Sequence, residues 1–83
     1  MTTKLRLTLY GREHCHLCMD MAAALHTTLA DVAFQLKVID VDQSAELQKR
    51  YGQFVPVLMA GEVEICHFHL DRTALDAYLA KIR

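Results

Sequence analysis

The chain has 83 residues, of which 53% are hydrophobic, and its formal net charge is −1. This length and composition predict one folded domain over residues 1–83. Nine Lys and Arg residues are balanced by ten Asp and Glu residues, without a long block of either sign. This charge distribution predicts no nucleic-acid or membrane partner, so we expect a monomer that selects its partners through a local site.

The N-terminal segment has the pattern of a β-strand. Leu5, Leu7 and Leu9 alternate with more polar residues from Lys4 to Thr8, as in a strand with one buried face. The alternation leaves no apolar core of a signal peptide, and no apolar run approaches the roughly 20 residues of a membrane span. We therefore expect a cytoplasmic protein.

A cysteine pair follows this strand. Residues 11–14 break the strand pattern, and Cys15 and Cys18 then lie three positions apart. If Cys15 begins a helix, both sulfurs lie on one face of its first turn, where free N–H groups and the helix dipole favour a thiolate. The pattern predicts a thiol-disulfide exchange site, in which Cys15 attacks a substrate disulfide and Cys18, one helical turn further on, resolves the mixed disulfide.

The residues after the cysteine pair predict a βαβ unit. Apolar residues recur at helical spacing from Cys18 to about Asp31, which predicts the first helix. Residues Phe34 to Val41 are rich in β-branched and apolar residues and predict a buried second strand.

The second half of the chain predicts a short helix, two strands and a last helix. Asp42 or Ser44 is positioned to cap the short helix, and Gly52 lies at its C-terminal end. Two strands joined at Gly61 are predicted, followed by a helix marked by apolar residues at helical spacing. The two strands are expected over residues 57–60 and 62–66, and the last helix over residues 75–82. The predicted order is βαβαββα.

This order, the C-x-x-C at the head of the first helix and Val55-Pro56 before the third strand together resemble a glutaredoxin-like protein of the thioredoxin fold. The resemblance implies an α/β fold with a four-stranded mixed sheet flanked by three helices. It also implies a cis Pro56 that faces the cysteine pair, with the backbone of Val55 pairing with the substrate. A cis bond would be a specific sign, since only about 5 to 6% of X-Pro bonds in folded proteins are cis.

Further substrate contacts follow from the same resemblance. Arg12 and Gln53 match positions at which glutaredoxins often carry basic or polar residues, and His16 and Leu17 lie between the two cysteines. The implied partners are a disulfide-bearing protein or a glutathione mixed disulfide, and no bound cofactor is implied. Glutathione is one candidate reductant, but residues 65–69 lack the Gly-Gly of glutaredoxins, so the electron donor stays open.

Two other functions remain open at the level of sequence. Cys15 and Cys18, together with Cys66 and His69, form a ligand set that zinc or an iron-sulfur centre accepts, with neighbouring histidines as substitutes. The long separation of the two pairs is unlike that of compact zinc modules, and Cys66 and His69 are also typical of a buried strand residue and a surface histidine. The other alternative is a redox-inert interaction domain that keeps the fold.

Overall fold

The computed structural model of the protein describes residues 5–82. The remaining parts of the predicted domain, residues 1–4 and 83, including Lys4 of the predicted first strand, lie outside the described residues. The elements are β1 (Leu5–Gly11), α1 (His16–Thr28), β2 (Phe34–Asp40), a 3-10 turn (Val41–Gln43), α2 (Ala45–Tyr51), β3 (Val57–Ala60), β4 (Val63–His67) and α3 (Arg72–Ile82). The predicted order is confirmed. No helix within residues 5–82 has the length and apolar character needed to cross a membrane.

The four strands form one mixed sheet in the order β2-β1-β3-β4. Strands β1 and β2 are parallel, whereas β3 runs antiparallel to both β1 and β4. The leucines of β1 pack with Met21 and Leu25 of α1 and with Leu75 of α3, which places both helices on one face of the sheet. On the other face Tyr10 of β1 stacks on Tyr51 of α2, with ring centroids 4.2 Å apart. This arrangement is the predicted α/β thioredoxin-like fold.

The expectation that the second strand is buried is wrong. None of its residues from Phe34 to Asp40 is fully buried, and Val38 is 64% exposed. The physical reason is the sheet order, because β2 is an edge strand that, within residues 5–82, pairs only with β1. Val41 is buried, but it belongs to the 3-10 turn that follows the strand. A short apolar run does not distinguish an edge strand from a central one.

Helix ends are set by local hydrogen bonds. Helix α1 ends at Thr28, before the predicted Asp31, because the backbone of Leu29 leaves the helical conformation (φ −102°, ψ 26°) after its N–H has donated to the Leu25 carbonyl at 2.8 Å. Of the two predicted caps of α2, the structure uses Ser44, whose Oγ accepts from the Leu47 N–H at 3.3 Å. This is the usual role of a serine N-cap.

Candidate functional site

One end of the sheet brings together the cysteine motif and the proline loop. Tyr10, Val57 and His67 pair across β1, β3 and β4 in one row. Since β1 and β3 are antiparallel, the next residue of β1, Gly11, and the preceding residue of the β3 chain, Pro56, follow at the same end of the sheet. The topology therefore places the loop that carries the cysteines beside the segment that carries Pro56.

Cys15 and Cys18 form a disulfide at the N-terminus of α1, with their Cα atoms 5.2 Å apart. Cys15 is the N-cap of the helix, and its Sγ accepts a hydrogen bond from the Cys18 N–H at 3.2 Å. Cys15 is half-buried, whereas Cys18 is buried at 8% exposure. A backbone donor at a helix N-terminus stabilises negative charge on sulfur, so the two cysteines differ both in exposure and in polar surroundings.

Gly11 makes room for the buried cysteine. A Cβ atom added at Gly11 would lie 2.9 Å from Sγ and 3.2 Å from Cβ of Cys18. The strand pattern predicted a break at Gly11, but this residue is the last one of β1. The available signal was a glycine at the end of a strand just before a C-x-x-C, because glycine allows close approach of a neighbouring group.

The Val55-Pro56 peptide bond is cis, as the resemblance implied. Pro56 is buried, Val55 is half-buried and Gln53 is exposed. The Pro56 carbonyl accepts a hydrogen bond from the Phe68 N–H at 2.9 Å, which links the proline loop to the chain that leaves β4.

Arg12 is held by a partner that the sequence analysis did not assign to it. Its Nε donates to Oδ1 of Asp42 at 3.2 Å, which joins the cysteine loop to the turn after β2. Arg12 and Cys18 also line one cleft of about 350 Å³ between β2 and α1. His16 is exposed and Leu17 is half-buried in the first turn of α1. Arg12 therefore lies at the site, but its guanidinium is shared with a carboxylate.

Cys66 lies away from solvent on β4 as a free thiol. Burial raises the pKa of the Cys66 thiol. The described residues 5–82 contain no group of three or more His, Cys, Asp or Glu side chains arranged to hold a metal ion. The four ligands of the alternative metal site, Cys15, Cys18, Cys66 and His69, are thus not assembled into one centre here.

The raised pKa of Cys66 predicts a loss of stability at alkaline pH. The folded protein keeps the thiol proton at pH values above about 8.5, where the unfolded thiol has lost it. Because the folded state then binds more protons, the free energy of unfolding of the disulfide-bonded protein should decrease as pH rises above the unfolded thiol pKa of about 8.5. Urea denaturation at several pH values measures this slope.

The matched control for this measurement is Ile65→Val, which removes one methylene from the core cluster that contains Cys66 and removes no titrating group. Cys66→Ala should flatten the alkaline slope, and Ile65→Val should keep it. An equal slope in wild type and Cys66→Ala would show that Cys66 is not the group responsible. Burial also raises the pKa of Tyr10, which titrates in the unfolded chain only near about 10 and so contributes at higher pH.

The chain matches a known domain family and is similar to solved structures. The glutaredoxin-like domain family (DUF836) matches residues 6–80. The chain is similar to protein Ne2328 from Nitrosomonas europaea, whose solution NMR structure has 39% identity, 94% coverage of both chains and a TM-score of 0.85. It is also similar to the X-ray structure of XcR50 from X. campestris, with 36% identity, coverage of 90% of this chain and 96% of that chain, and a TM-score of 0.70.

A more distant structure agrees on the fold alone. Thioredoxin 1 from Thermosipho africanus TCF52B has 20% identity and a TM-score of 0.58, with 93% of this chain and 97% of that chain covered. No curated protein matches the sequence. The family match over residues 6–80 and the Cys15–Cys18 disulfide at a helix N-terminus support a redox-type function. The chain therefore belongs to the glutaredoxin-like domain family within the thioredoxin fold.

Proposed function

We propose that the protein is a thiol-disulfide oxidoreductase that reduces protein disulfides or mixed disulfides. This proposal rests on one observation. Cys15 is half-buried at a helix N-cap, and its Sγ lies 3.2 Å from the backbone nitrogen of Cys18, which donates a hydrogen bond to it. In the reduced protein this donor stabilises a thiolate at Cys15, and the thiolate is the attacking form of a thiol. Cys18, buried one helical turn away, is within bonding reach of Cys15.

The proposed reaction consists of two exchanges. The Cys15 thiolate attacks one sulfur of the substrate disulfide, a bond forms between Cys15 and that sulfur, and the other substrate sulfur leaves as a thiolate that takes up a proton. Cys18 then loses its proton and attacks Sγ of Cys15, which releases the second substrate thiol. Two electrons pass from the cysteine pair to the substrate, and the protein ends with the Cys15–Cys18 disulfide.

The residues around the cysteines are assigned to substrate binding in this proposal. The exposed His16 and the half-buried Leu17 follow Cys15 in the first turn of α1, and the backbone of Val55 before Pro56 offers hydrogen-bonding groups to an extended substrate. Gln53, which is exposed in the same loop, adds a polar contact.

Arg12 has a double role in the proposal. Its cation lies at the cleft that Cys18 also lines, while its ion pair with Asp42 holds the loop. Both side chains are well exposed, so the ion pair itself contributes little to stability.

The catalytic cycle requires a reductant that returns the protein disulfide to the dithiol. Two molecules of a small thiol such as glutathione, which leave as their disulfide, or one dithiol reductase supply the two electrons and two protons. We place the reaction in the cytoplasm, with the protein acting as a monomer, because a reducing compartment keeps such a pair available as a dithiol.

Redox titration of the Cys15–Cys18 pair in glutathione buffers tests the proposal. Alkylation followed by mass spectrometry at each ratio should show one two-electron transition between dithiol and disulfide, with Cys66 remaining a free thiol throughout. The same reduced protein should reduce a model protein disulfide. A pair that stays in one redox state at every ratio, or a reduced protein that transfers no electrons, would contradict the proposal.

A further inference from the structure

Three aromatic side chains lie together on the surface next to the proline loop. Phe54 and Phe68 are 43% and 41% exposed, and their ring centroids are 6.4 Å apart. The ring of His67 lies between them, 5.5 Å from Phe54 and 4.8 Å from Phe68, with an edge-to-face geometry in both cases. We call these three residues the aromatic patch. Single exposed apolar residues are common, but a contiguous exposed group is typical of an interaction site.

The aromatic patch is continuous with the candidate redox site. Phe54 directly precedes Val55 and the cis Pro56, and the N–H of Phe68 donates to the Pro56 carbonyl at 2.9 Å. Gly11, against which the Cys18 sulfur packs, lies on the other side of the proline at the same end of the sheet. A polypeptide bound across the proline loop with its disulfide at Cys15 would therefore meet the patch with its neighbouring residues.

The backbone of Phe68 points to a functional reason for the patch. Phe68 has φ of 65°, a left-handed conformation that favours glycine and is uncommon for a bulky residue. This conformation raises the free energy of the folded protein. Burial of the ring does not offset that cost, because the side chain remains 41% exposed. Such a combination beside a reactive group is typical of a residue kept for binding.

The charged groups around the aromatic patch determine which ligands it favours. The side-chain polar contact of the patch is the hydrogen bond between His67 Nδ1 and Glu64 Oε2 at 3.1 Å, and the ring contacts of the patch within residues 5–82 include no Lys or Arg. Glutathione carries two carboxylates, so cations or free N–H donors would favour its binding. The three side chains of the patch supply few such groups. An apolar side chain has no hydrogen bonds with water to give up on binding there, and it gains free energy when its surface is removed from water.

We propose that the aromatic patch selects protein substrates in which an apolar side chain lies close to the disulfide cysteine, in preference to glutathione-type disulfides. This inference rests on the proposed function and adds its substrate class. The partner is an extended segment of a disulfide-bearing protein, with its sulfur at Cys15 and a phenylalanine, leucine or methionine side chain against Phe54 and Phe68.

The test uses pre-reduced protein and three oxidants. These are the symmetrical disulfide of a short peptide with phenylalanine two residues from its cysteine, the same peptide with serine at that position, and glutathione disulfide. The second-order rate constant for oxidation of the protein should be about tenfold higher with the phenylalanine peptide than with either other oxidant, which corresponds to a modest contact energy for one buried aromatic side chain.

Two variants and one control assign the selectivity to the patch. Phe68→Gly and Phe54→Ser should bring the ratio of rate constants for the two peptides close to one. Phe68→Gly should unfold at a urea concentration close to that of the wild type, because relief of the positive φ offsets the lost contacts of the ring, so a lost preference does not reflect poor folding. Val63→Ser removes a side chain that is 54% exposed at the other end of β4 and should keep the wild-type ratio.

The outcomes separate this inference from the proposed function. Equal rates with all three oxidants, or a preference for glutathione disulfide, would overturn the inference and leave the proposed function standing. A ratio that survives both patch substitutions, or that Val63→Ser reduces equally, would also overturn it. A wild-type protein that reacts with none of the three disulfides would overturn both.

Discussion

Cys15→Ser is expected to lower the rate of disulfide reduction by at least about a hundredfold, because a serine hydroxyl is not ionised near neutral pH and does not attack disulfides. The Sγ of Cys15 accepts the hydrogen bond from the Cys18 N–H at the helix N-cap, and Cys15 is more exposed than Cys18. The measurement is the rate of reduction of a peptide disulfide in the presence of an added thiol donor.

Cys18→Ser separates the two exchanges. This variant keeps the attacking sulfur but lacks the resolving one, so it should accumulate a mixed disulfide with substrate that is detectable by mass spectrometry under non-reducing conditions. Cys66→Ala is the matched control, because it removes the third cysteine from β4 and should keep the reduction rate. Activity that persists in Cys15→Ser, or a mixed disulfide attached to Cys66, would show that the nucleophile is assigned incorrectly.

Gly11→Ala is expected to destabilise the protein by about 1–3 kcal/mol, the usual cost of overpacking. An alanine is ordinarily favoured over glycine inside a strand by roughly 0.5–1 kcal/mol. Here its Cβ would lie only 2.9 Å from the Cys18 Sγ, on a buried side chain that packs against β1. The crowding therefore outweighs the gain in backbone entropy, and urea denaturation should show a lower free energy of unfolding.

A double-mutant cycle with Cys18→Ala assigns the effect to this contact. The sulfur is absent in Cys18→Ala, so Gly11→Ala should cost at least about 1 kcal/mol less in that background than in wild type. Loss of the disulfide is common to both variants that lack Cys18 and cancels in the cycle. Equal costs in the two backgrounds would mean that Gly11 is restricted by something other than Cys18.

Local patterns in the sequence predicted much of this fold. The alternation of leucines in β1, the helical spacing after Cys18 and the cap at Ser44 depend on residues within a few positions of one another, and the structure has each of these elements. The extent of burial of β2 was predicted wrongly, since an apolar strand has the same pattern at the edge of a sheet as in its centre.

The candidate site was likewise predicted only in part from the sequence. The sequence placed Cys15 and Cys18 at the start of a helix, and the resemblance to glutaredoxin-like proteins implied the cis Val55-Pro56 bond. The site residues that the sequence missed are those whose role depends on a distant partner. Gly11 is one example, because its role is to leave room for Cys18, which packs against it in the folded protein.

By itself the sequence determined the order of elements and the position of the cysteine pair at a helix N-terminus, because strand and helix periodicity and capping act over a few residues. The tertiary structure alone decided which strand lies at the edge, that Arg12 pairs with Asp42, and that Phe54, His67 and Phe68 form one surface beside Pro56. These contacts join residues far apart in the chain, and their geometry follows from strand order and register, which short-range patterns do not encode.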